Sequence, residues 1–421
     1  MTVEAHRAID AVWRIESARL IAGLARVTGD VGVAEELAQD ALVAALEQWP
    51  SAGVPEKPGA WLMSTAKHRA IDRIRRDATL SRKYERLGRE LLAAEEGGDP
   101  ESRMDEEMGD DVLTLIFTAC HPVLAMEARV ALTLRVVGGL TTEEIARAFL
   151  VPTATMSQRI VRAKRTLAEA RVPFVVPSPG ERPARLAAVL EVVYLIFNEG
   201  YSATEGQDWV RPGLCDDALR LGRVLQALAP DEAEVHGLAA LMEIQASRLR
   251  ARIGPGGEPV LLLDQDRGRW DRLLIQRGLA ALERAVRLGP LGPYALQAAI
   301  AACHARARTA AETDWPKIAA LYDALAQLDP SPIVELNRAV AVGMGFGPAA
   351  GLEAVDAVAS SPVLRRYHLL PAVRRDLLRK LRRWAEARSE FEKAADLTAN
   401  ERERRLLRHR AAECAADEIA G

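Results

Sequence analysis

The stretch LTTEEIARAFLVPTATMSQRIVRAKRTL, Leu140 to Leu167, constrains this chain more than any other, because a capping signal and a proline divide it into two short helices. Thr141 followed three residues later by Glu144 is a capping box that predicts a helix start, with Ile145, Ala146 and Phe149 or Leu150 on its apolar face. Pro152 ends that helix and is tolerable in the first turn of the next, where Met156, Ile160, Ala163 and Leu167 recur at helical spacing as the buried stripe. The opposite face carries Thr155, Ser157, Gln158, Arg159, Arg162 and Arg165.

Two short helices with a tight turn, the second cationic on its outer face, form the pattern of a helix-turn-helix. Arginines suit guanine edges and phosphates, Gln suits adenine, and Thr and Ser at a helix N-terminus suit phosphates. An ordinary helical hairpin with a solvated basic face has the same pattern, so context has to decide between them.

At 421 residues the chain is long enough for two or three domains. It is rich in Ala, Leu, Arg and Glu, poor in aromatics and without persuasive strand alternation, which predicts an all-α fold. A formal net charge of −3 excludes a uniformly basic coat, so contact with nucleic acid has to come from local patches. The four cysteines, Cys120, Cys215, Cys303 and Cys414, form no CxxC pair, which argues against a zinc site and a disulfide framework. No signal-peptide pattern opens the chain and no stretch approaches the roughly 20 apolar residues of a membrane span, so a cytoplasmic protein is expected.

From the N-terminus, Ile9, Val12, Trp13, Leu20, Ile21 and Leu24 predict an amphipathic helix that ends at Gly29 and Asp30. Asp30 is placed to cap the next helix, AEELAQDALVAALEQW, whose first turns are crowded with Glu35, Glu36, Gln39 and Asp40. A broken loop, PSAGVPEKPGA, leads to WLMSTAKHRAIDRIRRD and the densest basic run of the chain, including Lys67, Arg69, Arg73 and Arg76.

The acidic helix, the loop and WLMSTAKHRAIDRIRRD together resemble region 2 of the extracytoplasmic-function (ECF) sigma factors, and LTTEEIARAFLVPTATMSQRIVRAKRTL resembles their region 4. Both motifs in this order are far more specific than either alone. The resemblance implies a non-enzymatic factor, without catalytic residues, metal or cofactor, that brings core RNA polymerase to promoter DNA. It places Glu35, Glu36, Leu37, Gln39 and Asp40 at the polymerase contact. It places Trp61, Lys67, Arg69, Arg73 and Arg76 along the −10 strand, with an extruded base taken by the loop from Trp49 to Gly59. Thr155, Ser157, Gln158, Arg159 and Arg162 then read the −35 element. The chain departs from the family pattern at His68, where Asn is usual, and at Ala154, where Gly is usual.

The domains expected are region 2 over 1–92, an acidic linker over 93–109, region 4 over 110–171, a Pro-rich linker over 172–183 and a helical-repeat domain over 184–421. The core of region 4 is expected from Leu113, Leu115, Ile116, Phe117, Val130, Leu132 and Leu134, with Cys120-His121-Pro122 as packing and a turn. In the last domain a degenerate pattern recurs at Ala218/Gly222/Leu225/Pro230, Gly278/Leu282/Ala285/Pro290, Ile318/Tyr322/Leu325/Pro330, Ala350/Ala354/Ala357/Pro362 and Ala387/Phe391/Ala394. It looks like the second helix of tetratricopeptide (TPR) repeats, whose period is about 34 residues, and implies an α-solenoid with a protein or peptide partner.

Two other function classes fit parts of the sequence. One is a helix-turn-helix activator with a TPR sensor that never joins polymerase. The other is a metal-dependent transferase using Asp264 and Asp266 of LLLDQDRGRWDR, for which a helix cap tied by salt bridges is the better account.

Overall fold

The computed structural model describes residues 2–77, 111–149, 151–201, 210–256, 258–362, 364, 369–397, 404, 405, 407–409, 411 and 412, with side chains from Arg7 in the first helix and up to Ala70 in the third. Its regular elements are helices; among the described residues the only β pairing recorded is an isolated bridge, Ile253 with Pro259. The chain divides into two compact units, residues 1–195 and 196–421.

In the first unit, α1 (Thr2–Thr28), α2 (Val31–Ala52) and α3 (Pro58–Asp77) pack on one another. Ile9, Leu20, Ile21 and Leu24 of α1 meet Leu37, Ala41, Ala45 and Trp49 of α2 and Leu62, Ala66 and Ala70 of α3 in a closed core. Val12 and Trp13, expected inside, are only half-buried. Gly29, at φ +68°, ends α1, and the Asp30 carboxylate accepts from Gly32 N at 2.6 Å and Val33 N at 3.0 Å, so it caps α2 as its position predicts. The loop after α2 is shorter than expected, because the helix runs through Pro50 to Ala52. Proline there removes one hydrogen bond in the last turn, where the Gly53 N–H still closes on Trp49 O at 2.9 Å.

The second half of this unit comprises α4 (111–119), α5 (Met126–Val136), α6 (Thr142–Ala148) and α7 (Thr153–Glu169). All seven residues expected in its core are buried. Cys120 is 1% exposed and burial pushes its thiol up to about 11, while His121 Nδ1 accepts from Val123 N at 3.1 Å. That environment is the packing and turn expected of Cys120-His121, and the opposite of an activated nucleophile.

From α8 (Arg182–Tyr201), which crosses the unit boundary, the chain continues as α9 (Pro212–Leu228), α10 (Ala233–Ala246), α11 (Arg272–Leu288), α12 (Pro293–Arg306), α13 (Trp315–Leu328), α14 (Pro332–Gly345), α15 (Pro348–Val358), α16 (Leu369–Lys380) and α17 (Trp384–Leu397). From α9 onward each helix packs on its sequence neighbour. Helix α10 also packs on α12 and is buried along nearly its whole length, with Gly237 so close to α12 that a Cβ would lie 2.7 Å from Ala295 N. The repeat positions Ala218, Leu225, Leu282, Ala285, Ile318, Leu325, Ala387, Phe391 and Ala394 are buried. In α15 the register is shifted: Gly351, Leu352 and Val355 face inward and Ala357 is exposed.

Candidate polymerase and DNA interfaces

The helix-turn-helix forms as the local chemistry dictates. The Thr141 hydroxyl accepts from Glu144 N at 3.1 Å and the Glu144 carboxylate accepts from Thr141 N at 2.8 Å, closing the capping box on α6. On α7 the buried residues are Met156, Ile160, Ala163 and Leu167. Thr155, Ser157, Gln158 and Arg162 are exposed and Arg159 is half-buried. Arg165 is held by Glu169 at 2.6 Å, whereas among the described residues no carboxylate pairs with Arg159 or Arg162. The helix therefore presents two uncommitted guanidiniums beside three short polar side chains.

On α2 the five residues expected at one interface separate into two groups. Glu36 and Asp40 are exposed, one turn apart, and half-exposed Val43 continues their stripe. Leu37 is 2% exposed and belongs to the helical core. Glu35 is also 2% exposed: it accepts from Arg135 Nε of α5 at 2.6 Å, pairs with Lys164 of α7 and takes the side-chain amide of Gln39. The stripe Val31, Glu35, Ala38 puts this carboxylate at the edge of the buried face, and nothing local could name partners one hundred and more residues away.

Two further contacts join the same halves of the unit. Arg14 of α1 pairs with Glu144 of α6 at 2.9 Å, and Arg26 with Asp111 at 3.4 Å. Gly139, at φ +70°, passes so near α1 that a Cβ would lie 2.7 Å from Ser17 Oγ.

Along α3, Trp61 is half-buried and meets Trp49 edge to face, ring centroids 5.3 Å apart. Lys67 is half-exposed, and Arg69 reaches back to donate to Asp40 O at 2.5 Å. Residues expected at two different interfaces thus touch each other. Arg73 and Arg76 lie on the backbone of α3, with their side chains outside the described residues. His68 donates a ring N–H to Ser64 O at 2.7 Å, a local bond that leaves the helix undisturbed.

Residues 15–79 match the model of sigma-70 region 2 and residues 114–167 that of sigma-70 region 4. The chain therefore carries the region 2 and region 4 domains of the sigma-70 family. It is similar to a probable ECF RNA polymerase sigma factor, SigI, of Mycobacterium tuberculosis (strain CDC 1551 / Oshkosh), at 27% identity over 40% of this chain and 57% of that one. Residues 185–286 match a family of unknown function, DUF6596. Over 91% of its length it is 44% identical to uncharacterized protein R00370 of Rhizobium meliloti (strain 1021), covering 90% of that protein, so the helical extension and the sigma regions are shared together. No solved structure matches.

Sigma-70 regions 2 and 4 belong to a non-enzymatic family, and the acids of the stretch after α10 serve as caps. Asp266 accepts from Gly268 N at 2.8 Å, and Asp271 caps α11 through Leu273 N at 2.9 Å and Leu274 N at 3.1 Å. No group of three or more potential metal ligands exists among the described residues. The helix cap expected there forms, but Arg267 of the same stretch forms no salt bridge with these acids and turns inward to carbonyl oxygens.

Proposed function

We propose that this sigma factor carries core RNA polymerase to specific promoters, and that its C-terminal helical domain, read as a TPR-like solenoid, controls it in cis. The reading rests first on α7, whose outward face holds Thr155, Ser157, Gln158, Arg159 and Arg162 with both arginines uncommitted. A major groove needs such donors at base edges and phosphates. Polymerase is met by Glu36 and Asp40, and the −10 strand by Trp61, Lys67, Arg69, Arg73 and Arg76. The place of work is the cytoplasm, where polymerase and promoters are, and among the described residues no helix is long and apolar enough to cross a membrane.

Arg159→Ala and Arg162→Ala each weaken recognition of the −35 element, by about 1–3 kcal/mol for a bidentate base contact and less for a phosphate contact, with core binding retained. Transcription from promoters altered only in that element is the measurement. Wild-type discrimination by both variants rejects this role for α7.

The exposed acids favour polymerase recruitment over a free-standing activator. Co-purification of the full chain with core polymerase decides between them.

The two sigma regions touch in the free chain, yet the −10 and −35 elements lie about 25 base pairs apart, roughly 85 Å at 3.4 Å per pair. Both elements can be read at once only after the regions part. The 33 residues between Asp77 and Asp111 are long enough, at up to about 3.3 Å each, to bridge that distance.

A short Pro-rich segment, 172–183, tethers the C-terminal domain to region 4. Truncation after residue 175 is expected to change promoter-specific transcription: loss favours a domain that clamps the two sigma regions in a polymerase-competent arrangement, and gain favours one that covers Arg159 and Arg162 until a partner binds it. Activity equal to that of the full chain, in vitro and in cells, refutes control in cis.

A further inference from the structure

Between α10 and α11, residues 247–271 form three short 3-10 turns and the Ile253–Pro259 bridge around Trp270, which is 4% exposed. Three arginines converge there. The Arg252 guanidinium lies 3.8 Å from the Tyr201 ring centroid; that of Arg248 lies 5.8 Å from Tyr201 and 5.7 Å from Trp270; that of Arg267 lies 5.1 Å from Trp270.

Other arginines of this unit have acids: Arg211 with Glu199, Arg223 with Glu243, Arg374 with Asp356 and Glu390. Among the described residues no carboxylate lies within ion-pair distance of Arg248 or Arg267. Arg267, itself buried, donates to His304 O and Ala307 O, both at 2.6 Å, and to Thr313 Oγ1 at 3.1 Å; Arg248 donates to the Gln245 side-chain oxygen. These are neutral acceptors. Asp266 and Asp271, from the same stretch of sequence, are spent on backbone caps.

His304, 8% exposed, reports the resulting field. Burial first, then the positive charges of Arg248 and Arg267, bring its imidazole down to about 4, so it stays neutral at physiological pH. The side-chain N–H of Trp270, Nδ1 of His304 and the side-chain oxygen of Gln265 are buried without hydrogen-bond partners. Partial burial of cations without counter-charge is costly, and aromatic faces offset it only in part, by about 0.5–2 kcal/mol per contact.

We propose that this arginine–aromatic cluster is a binding site for a small oxyanion, a carboxylate or a phosphate, through which the C-terminal domain senses a cytoplasmic metabolite. Arg248 is the principal anchor, because a guanidinium carries five N–H donors and can fork onto two oxygens of one anion. Tyr201 and Trp270 hold the cations in place by their ring faces, and the neutral His304 and the Trp270 N–H offer further hydrogen bonds without opposing negative charge.

The test is calorimetric titration of the full chain with inorganic phosphate and, separately, with acetate, at constant ionic strength. Saturable binding of one anion per chain is expected in at least one arm, and the tighter arm identifies the ligand class. Arg248→Met should weaken that binding at least tenfold with an unchanged circular dichroism spectrum, and Arg287→Met, at an exposed position of α11, should leave it as in wild type. If Arg248→Met does not fold, Arg248→Lys, which keeps the charge and loses the fork, should show the weakening. Failure of both anions to bind wild-type protein saturably, or equal affinity in the folded Arg248 variant, overturns the assignment.

Discussion

Reversing the charge of Glu36 and Asp40 together, Glu36→Lys with Asp40→Lys, is expected to abolish capture of core polymerase while leaving the fold intact. Both side chains are exposed on α2 and neither contributes to the packed face formed by Ala34, Leu37, Ala38, Ala41 and Ala45. At Asp40 the intramolecular cost is small: its Oδ1 lies 3.9 Å from Arg69, an exposed pairing worth at most about 1 kcal/mol, and the shorter Arg69 bond goes to a backbone oxygen that no substitution removes. The intermolecular cost is large, because like charges placed against a basic partner surface oppose docking by several kcal/mol and slow encounter as well. Pull-down of core polymerase is the measurement, with circular dichroism as the control. Wild-type capture by the double variant would mean that this stripe is not the docking face.

The resemblance groups Glu35 with Glu36, Leu37, Gln39 and Asp40, and its burial explains what a sequence can and cannot disclose. The capping box at Thr141, the Asp30 cap and the stripe Met156, Ile160, Ala163, Leu167 depend on neighbours within a turn or two, so periodicity and capping chemistry locate them. Spacing alone places Glu35 at the edge between the wet and dry faces of α2. Which way it turns is decided by Arg135 and Lys164, and that is tertiary information. The same limit applies after α10, where alternating Asp and Arg suggest mutual pairing, yet the acids cap backbone and Arg267 turns inward. In α15 a helix rich in small residues has a weak register signal, since Ala fits inside or outside, and the buried stripe lies one position from the expected one.

Glu35→Gln is expected to loosen the contact between the two sigma regions without unfolding either. The substitution keeps the shape of the side chain and its bond with Gln39, but removes the charge that holds Arg135 and Lys164, two cations with side chains only 17% and 20% exposed. Charge-assisted hydrogen bonds contribute about 1.5–3 kcal/mol each, and the released cations recover part of this from water because they lie near the surface. A net loss of about 1–3 kcal/mol moves the ratio of parted to joined regions roughly 5–150-fold. Arg14–Glu144 and Arg26–Asp111 remain, so the shift is graded rather than complete. Small-angle scattering should then give a larger radius of gyration, and the free variant should bind a −35 duplex more tightly than wild type, because α7 no longer carries the acidic N-terminal turns of α2 beside it. Lys164→Met should have the same direction of effect on the radius, and the double variant less than the sum of the two, since both substitutions break one pair. A scattering profile unchanged by Glu35→Gln would show that the buried carboxylate does not hold the regions together, and that burial of Gly139 against Ser17 and the remaining ion pairs suffice.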